Sequence, residues 1–254
     1  MLDPTKRFSS RVDNYVKYRP GYPPELPGLL AQHCGLAAAS VVADIGSGTG
    51  LLTEPLLRHG WRVYGVEPNP EMRAAGAALL AGHPGFASVD GTAEATTLPA
   101  ASIDLIAAGQ AFHWFDQEAA RAEWRRILRP GGWVALVWNV RADSSPFQRD
   151  YERLLREQAP EYGQVNHRNV DAEALAGFFR PGPVKRLDLA NQQRFDLPGL
   201  KGRVLSSSYA PEPGHPRHEP LMAGLERLFE RYQEDGAVAF DYETEIYLGQ
   251  LGAD

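Results

Sequence analysis

Residues 41–50 read "VVADIGSGTG", and this stretch limits the fold more than any other. A β-branched apolar run reaches Asp44, and three glycines, Gly46, Gly48 and Gly50, then alternate with small residues. Glycine at this density permits positive φ and lets a ligand come close to the backbone. A strand, a glycine loop and a helix bring backbone N–H groups and a positive helix end to one spot. The pattern therefore predicts an α/β sheet with an adenine cofactor at the end of its first strand. The spacing is G-x-G-x-G. The dinucleotide fingerprint G-x-G-x-x-G would put its third glycine at position 51, where this chain has Leu51. No Gly-Lys-Ser/Thr follows, so the phosphate-binding P-loop pattern fails as well. Glu67, 21 residues after Gly46, closes the second apolar run. An acid there can accept hydrogen bonds from both hydroxyls of a ribose.

The rest of the first 140 residues alternates strands and helices. Strands are predicted at 41–45, 61–67, 86–90, 103–112 and 133–139, and helices at 51–59, 70–80 and 117–128. Asn69 is the expected N-cap of the second helix, Gly60 the C-terminal stop of the first, and 129–132 ("RPGG") a turn. This alternation implies a parallel sheet with right-handed crossovers. Beyond Asn139 the pattern changes. Residues 183–197 and 237–251 read as longer, more polar alternating strands, which suggests an antiparallel pair at the sheet edge. The expectation is one domain over 1–254. Its core is 36–140 plus the strands near 183–197 and 237–251, with a helical cap drawn from 1–34, 141–182 and 198–236.

The formal charge of −6 gives nucleic acid or an anionic membrane nothing global to attract. Cys34 is the only cysteine, which rules out an intrachain disulfide or a multi-cysteine metal site. The N-terminus shows no apolar secretory core, and no run is long enough to span a bilayer. These features predict a cytoplasmic protein with no metal, no nucleic acid and no membrane among its partners; a monomer or homodimer is expected. His215 and His218 sit in a proline-rich stretch with no third ligand at convincing spacing, and a solvated loop is expected there.

Five segments, "VVADIGSGTG", "VYGVEPNPEM", "DGTAEATTLP", "IDLIAAGQAFHWFD" and "LRPGGWVALVWN", resemble the successive motifs of class I S-adenosylmethionine-dependent methyltransferases. "FSSRVDNYVKYRPGYPPEL" and "QAFHWFD" are similar to the small-molecule group that includes trans-aconitate methyltransferase. The resemblance implies a Rossmann-like seven-stranded, mostly parallel sheet with an antiparallel edge hairpin and a helical cap. It implies S-adenosylmethionine as the cofactor. Asp44 would order the loop Gly46, Ser47, Gly48 and approach the methionine amino group through it. Gly46 and Gly48 would contact the methionine and ribose portions. Glu67 would clamp the ribose, while Pro68 and Met72 border the adenine and Thr92, Ala93 and Glu94 meet its edge. Gln110 and Ala111 would lie beneath the amino-acid part. Tyr15 and Arg19 belong to a segment that folds over the cofactor in similar enzymes, with Arg19 suited to its carboxylate.

On the acceptor side, His113 is the candidate base, since histidine takes a proton near neutral pH. The alternative for His113 is structural packing between Phe112 and Trp114. Trp114 is either part of an apolar wall that keeps water from the methyl group or core at a strand end. Arg141, Arg168 and Tyr209 are candidate substrate contacts, against the plain reading of surface groups. Three other functions compete with small-molecule methyl transfer. A protein or nucleic-acid methyltransferase is opposed by the acidic balance and by "QAFHW" in place of an Asn/Asp-Pro-Pro-Tyr-type motif. A non-catalytic binding module is opposed by the intact glycines and Glu67. An NAD-dependent oxidoreductase is opposed by the glycine spacing.

Overall fold

The computed structural model describes residues 17–143, 145–162, 172–207 and 209–252. Seven strands form one sheet: β1 (Val41–Ile45), β2 (Arg62–Val66), β3 (Phe86–Val89), β4 (Ile103–Gly109), β5 (Leu128–Arg141), β6 (Lys185–Phe195) and β7 (Val238–Gly249). Their order is β3-β2-β1-β4-β5-β7-β6. β1 through β5 pair in parallel, and β7 runs antiparallel to both β5 and β6. The polar alternation of 183–197 and 237–251 is thereby accounted for, since β6 is a half-exposed edge and β7 alternates buried and part-buried residues.

Period-two alternation sorts the central strands onto two cores. Val42, Leu105, Ala107, Ala135 and Val137 pack with Leu26 and Leu30 of α1 (Leu26–Cys34) and Leu56 and Leu57 of α2 (Thr53–Arg58). Ala43, Ile45, Ile106, Ala108, Leu136 and Trp138 face the other way. They meet Trp124 and Ile127 of α4 (Gln117–Ile127) and Phe178 and Phe179 of α6 (Ala172–Phe179). Between them in sequence, α3 (Pro70–Leu80) starts at Asn69, whose side chain accepts the Met72 amide at 2.9 Å as an N-cap.

A third cluster joins α5 (Pro146–Gln158), α7 (Leu197–Leu205) and α8 (His218–Tyr232) to Phe195, Val238, Phe240 and Tyr242. Because β7 is antiparallel, its first residues lie beside the end of β5, with Tyr242 paired to Arg141. This helical layer therefore sits at the carboxyl edge of the parallel strands. Residues 19–21 are tied to the same edge. Asn139 Nδ2 and Asn191 Nδ2 both donate to the Gly21 carbonyl, at 3.0 and 2.9 Å, and Gln193 Nε2 donates to the Arg19 carbonyl at 3.2 Å.

Three expectations are corrected. The fourth strand ends at Gly109 rather than 112, because Gln110 takes a positive φ of 56° and Phe112–Trp114 form a 3-10 turn. "RPGG" is not a turn ahead of the fifth strand but an outward bulge within it. Ile103 pairs with Leu128 and Leu105 with Trp133, so the intervening residues of β5 loop out around Gly131 at φ 79°. His218 is buried, not solvated: it opens α8 and its Nδ1 lies 2.9 Å from the Pro211 carbonyl.

Candidate functional site

The strand order reverses between β1 and β4, and ligands of open α/β sheets bind outside the carboxyl ends at such a switch point. Two adjoining cavities lie there, of about 150 and 200 Å³. They share Gly46, Gly48, Gly109, Gln110 and Trp114, so they form one trough bent over the glycine loop. One arm is lined by Glu67, Pro68, Met72, Thr92, Ala93, Glu94 and Ala111. The other is lined by Arg19, Asp44, Ser47, His113, Arg141, Arg203, Tyr209 and Tyr242. The predicted ribose and adenine contacts Glu67, Pro68, Met72, Thr92, Ala93 and Glu94 thus fall on one arm and Arg19, Asp44, His113, Arg141 and Tyr209 on the other, while Gly46, Gly48, Gln110 and Trp114 border both and Ala111, predicted beneath the amino-acid part, lies on the Glu67 arm. Tyr15 and Arg168 lie outside the described residues.

Asp44 is buried at the end of β1. Its Oδ2 accepts from Thr53 Oγ1 at 2.6 Å, while its Oδ1 is buried with no partner among the described residues. Burial raises its carboxyl to about 7, helped by the nearby Glu67 charge and opposed by the Thr53 hydrogen bond. An orphaned acceptor on a cavity wall fits a cationic or N–H-bearing ligand group.

Glu67 holds the loop from the other side. Its Oε2 accepts the Gly48 amide at 2.9 Å and its Oε1 the Asn69 amide at 2.8 Å. Burial pushes its carboxyl up, and those two bonds and Arg73 pull it back. Each oxygen keeps lone pairs for a ligand hydroxyl. The wall opposite is fixed as well, since the Trp124 indole donates to the Ala93 carbonyl at 3.0 Å.

The glycine loop is not an open anion nest. The Gly46 and Ser47 amides both donate to the Val66 carbonyl, Gly48 donates to Glu67, and Gly50 donates to the Ser47 carbonyl. Four donors that a pyrophosphate would need are already committed. Gly46 has φ +70°, and a Cβ there would stand 2.7 Å from the Ala111 Cβ and 3.2 Å from Phe115. Gly46→Ala should therefore destabilise the protein by about 1–3 kcal/mol from backbone strain alone. Thermal unfolding measures this, and an unchanged midpoint would show that the loop gives way without cost.

His113 is exposed on the 3-10 turn, with its ring centroid 4.7 Å from that of Trp114. Trp114 is 41% exposed, so it borders the trough and is not core. Arg141 ends β5; its Nη2 donates to Glu152 Oε2 at 3.3 Å and to the Tyr162 hydroxyl. Sequence reasoning missed Arg203, Asn139, Tyr22 and Tyr242, all of which line the arm that also holds His113 and Arg141. Arg203 left one signal: it stands between Leu200 and Val204, on the apolar side of its helix.

A protein-family model described as a methyltransferase domain matches residues 43–136. An uncharacterized methyltransferase of Schizosaccharomyces pombe is 33% identical over 177 residues, covering 68% of this chain and 67% of the relative. One from Mycobacterium tuberculosis is 39% identical over 153 residues, covering 60% of each; this chain spans about three-fifths of that relative's length. Among solved structures, a protein of Anaeromyxobacter dehalogenans proposed as a type II methyltransferase aligns with a TM-score of 0.71 at 24% identity. That match covers 93% of this chain and 100% of the other, and it supports the fold. Among the described residues no helix is long and apolar enough to cross a membrane, and no cluster of three or more His, Cys, Asp or Glu is placed to hold a metal.

Proposed function

We propose that this chain, which belongs to the methyltransferase family, transfers a methyl group from S-adenosylmethionine to a carboxylate or hydroxyl of a small molecule. The observation that carries this is the pairing across the trough of Asp44, with a free acceptor, and Glu67, with spare lone pairs, over a loop whose amides are spent. That set suits an amino group and a ribose and leaves a pyrophosphate without donors. Asp44 receives the amino group, Glu67 the ribose hydroxyls, and Arg19 the carboxylate. Pro68 and Met72 border the base, with Thr92, Ala93 and Glu94 at its edge. Gln110 and Ala111 lie beneath the amino-acid part; Tyr15 of the N-terminal segment and Arg168 belong to the cap in the same reading. A cytoplasmic setting is part of it too.

When bound, the cofactor supplies a methyl group already activated on a sulfonium. The chain has to align the acceptor oxygen and exclude water, a positioning effect worth roughly 7–11 kcal/mol in well-oriented systems. Trp114, at the junction of the arms, is the wall that does the excluding. An acceptor that is already a carboxylate needs no base, whereas a hydroxyl must lose its proton, and His113 is the group at the acceptor arm able to take it. Calorimetry with S-adenosylhomocysteine and with NAD tests the cofactor, and transfer of a labelled methyl tests catalysis. Binding of NAD alone would defeat the reading; binding without transfer would leave a non-catalytic module. His113→Ala should slow a hydroxyl acceptor by about 10²–10⁴-fold and a carboxylate acceptor by less than about tenfold. Equal rates for wild type and variant with a hydroxyl acceptor would remove His113 as base.

A further inference from the structure

On the sheet face that packs against α1 and α2, the last three strands are apolar until they reach the trough. Leu187, Ile246 and Val137 form one cross-strand row of that face. The next row is Leu189, Thr244 and Asn139, and Asn191 and Gln193 follow on β6. The change to polar side chains falls where residues 19–21 cross the strands. Asn139 Nδ2 and Asn191 Nδ2 both donate to the Gly21 carbonyl, and Gln193 Nε2 donates to that of Arg19. Asn139 is only 9% exposed, and its Oδ1 is spent as well, accepting from Thr244 Oγ1 at 2.6 Å and Asn191 Nδ2 at 3.0 Å. Its backbone carbonyl accepts Gln110 Nε2 at 3.0 Å. A buried carboxamide is costly unless its bonds are made, and apolar side chains would serve the sheet here about as well. What they could not do is hold the segment that crosses it.

Building on the methyltransferase reading, we propose that Asn139 is a positioning residue for the cofactor: its carboxamide pins the Gly21 carbonyl and so aims Arg19 and Tyr22 into the trough. Arg19, Pro20 and Tyr22 all line the trough beside the pinned carbonyl. The segment reads "RPGYPP" (19–24), with three prolines whose rings hold φ at about −65°. Few soft dihedrals remain, so fixing one carbonyl fixes its neighbours. On one side of it the Tyr22 hydroxyl occupies the space that a Cβ at Gly109 would fill, at the end of β4. On the other, Arg19 Nη2 donates to the Ser206 carbonyl at 3.2 Å. The same residue reaches the floor of the trough. The side chain of Asn139 holds the strap, while its main chain holds Gln110 in the turn after β4. A strap fixed before the ligand arrives need not be ordered on binding, and affinity rises by that saving.

The test is calorimetry of the full chain with S-adenosylhomocysteine, read beside unfolding midpoints. Asn139→Asp keeps an acceptor for Thr244 and Asn191 but turns an oxygen toward the Gly21 carbonyl. It should weaken binding about tenfold, the loss of one good hydrogen bond. Thr244→Val removes a bond to the same carboxamide without touching the strap. It should lower the unfolding midpoint yet keep affinity within about twofold of wild type. In an Arg19→Met background, Asn139→Asp should cost less than about threefold more, because the residue it aims is gone. A merely structural role would not produce that non-additivity. If Asn139→Asp does not fold, Asn191→Ala removes the second donor to Gly21 from the edge strand and should cost about threefold. Wild-type affinity in both folded variants overturns the proposal. So do losses that add in full with Arg19→Met, or a loss from Thr244→Val equal to that from Asn139→Asp. Failure of the wild-type chain to bind S-adenosylhomocysteine is a different result, because it removes the methyltransferase reading beneath the proposal.

Discussion

Glu67→Ala should weaken S-adenosylhomocysteine binding by about 1.5–3 kcal/mol, the usual worth of a hydrogen bond to a charged group. That is a loss of roughly 10- to 150-fold in affinity. The substitution does two things at once. It removes the acceptors for a ligand ribose, and it strands the Gly48 and Asn69 amides, which Glu67 now binds at 2.9 and 2.8 Å. A buried amide without a partner costs about 1–3 kcal/mol, so the loop should loosen and the unliganded protein should lose stability as well. Glu67→Gln separates the effects. The amide side chain keeps one oxygen for a backbone donor while losing the charge. Calorimetric affinities of wild type, Gln and Ala variants, read beside their unfolding midpoints, resolve the two contributions. Wild-type affinity in a folded Glu67→Ala protein would place the ribose elsewhere.

The residues that carry this prediction were legible in the sequence because they belong to one local unit. A strand, a glycine loop and an acid at the next strand end are fixed by nearest-neighbour geometry, so spacing alone positions Asp44, Gly46, Gly48 and Glu67. The β1–β2 register, which pairs Asp44 with Gly65 and Ile45 with Val66, then brings the acid against the loop. Helix ends obeyed the same locality, as the Asn69 cap shows. What escaped was set by distant contacts. The fourth strand stops early because Gln110 turns to donate its amide to Val137 and its side chain to the Asn139 carbonyl. His218 is buried because it returns to Pro211 at the head of α8. Arg203 reaches the trough because α7 packs beneath Tyr18, leaving no room for a Cβ at Gly202. No periodicity in "LKGRVL" reports which cavity its arginine will enter. The arm lined by Arg141, Arg203 and Tyr242 is assembled from β5, α7 and β7, and it takes shape only once the antiparallel strand is in place.

Affinity for the cofactor product should rise with pH across neutrality, and Asp44 is the cause. In the unliganded protein its carboxyl sits at about 7, against an ordinary 3.8, because it is buried beside Glu67 with one oxygen unpaired. An ammonium group placed against Oδ1 favours the ionised form, so binding must expel the proton wherever Asp44 still carries it. Below about pH 7 each unit of acidification should therefore cost up to about tenfold in affinity, and above it the curve should flatten. Stability of the free protein moves the opposite way. The folded pKa lies above the unfolded one, so the folded state holds the proton longer. The contribution of this group falls as pH climbs from about 4 to about 7. Asp44→Asn isolates the effect, because the amide oxygen can still accept from Thr53 while nothing titrates. The variant should bind more weakly at pH 8, by about 1.5–3 kcal/mol, and show a flatter profile. Calorimetry in buffers of differing ionisation enthalpy measures the released proton directly. A wild-type profile that is flat from pH 6 to 8, with no proton released, would mean either that Asp44 is ionised before the ligand arrives or that Oδ1 meets no ammonium, and would overturn this account of the pH dependence.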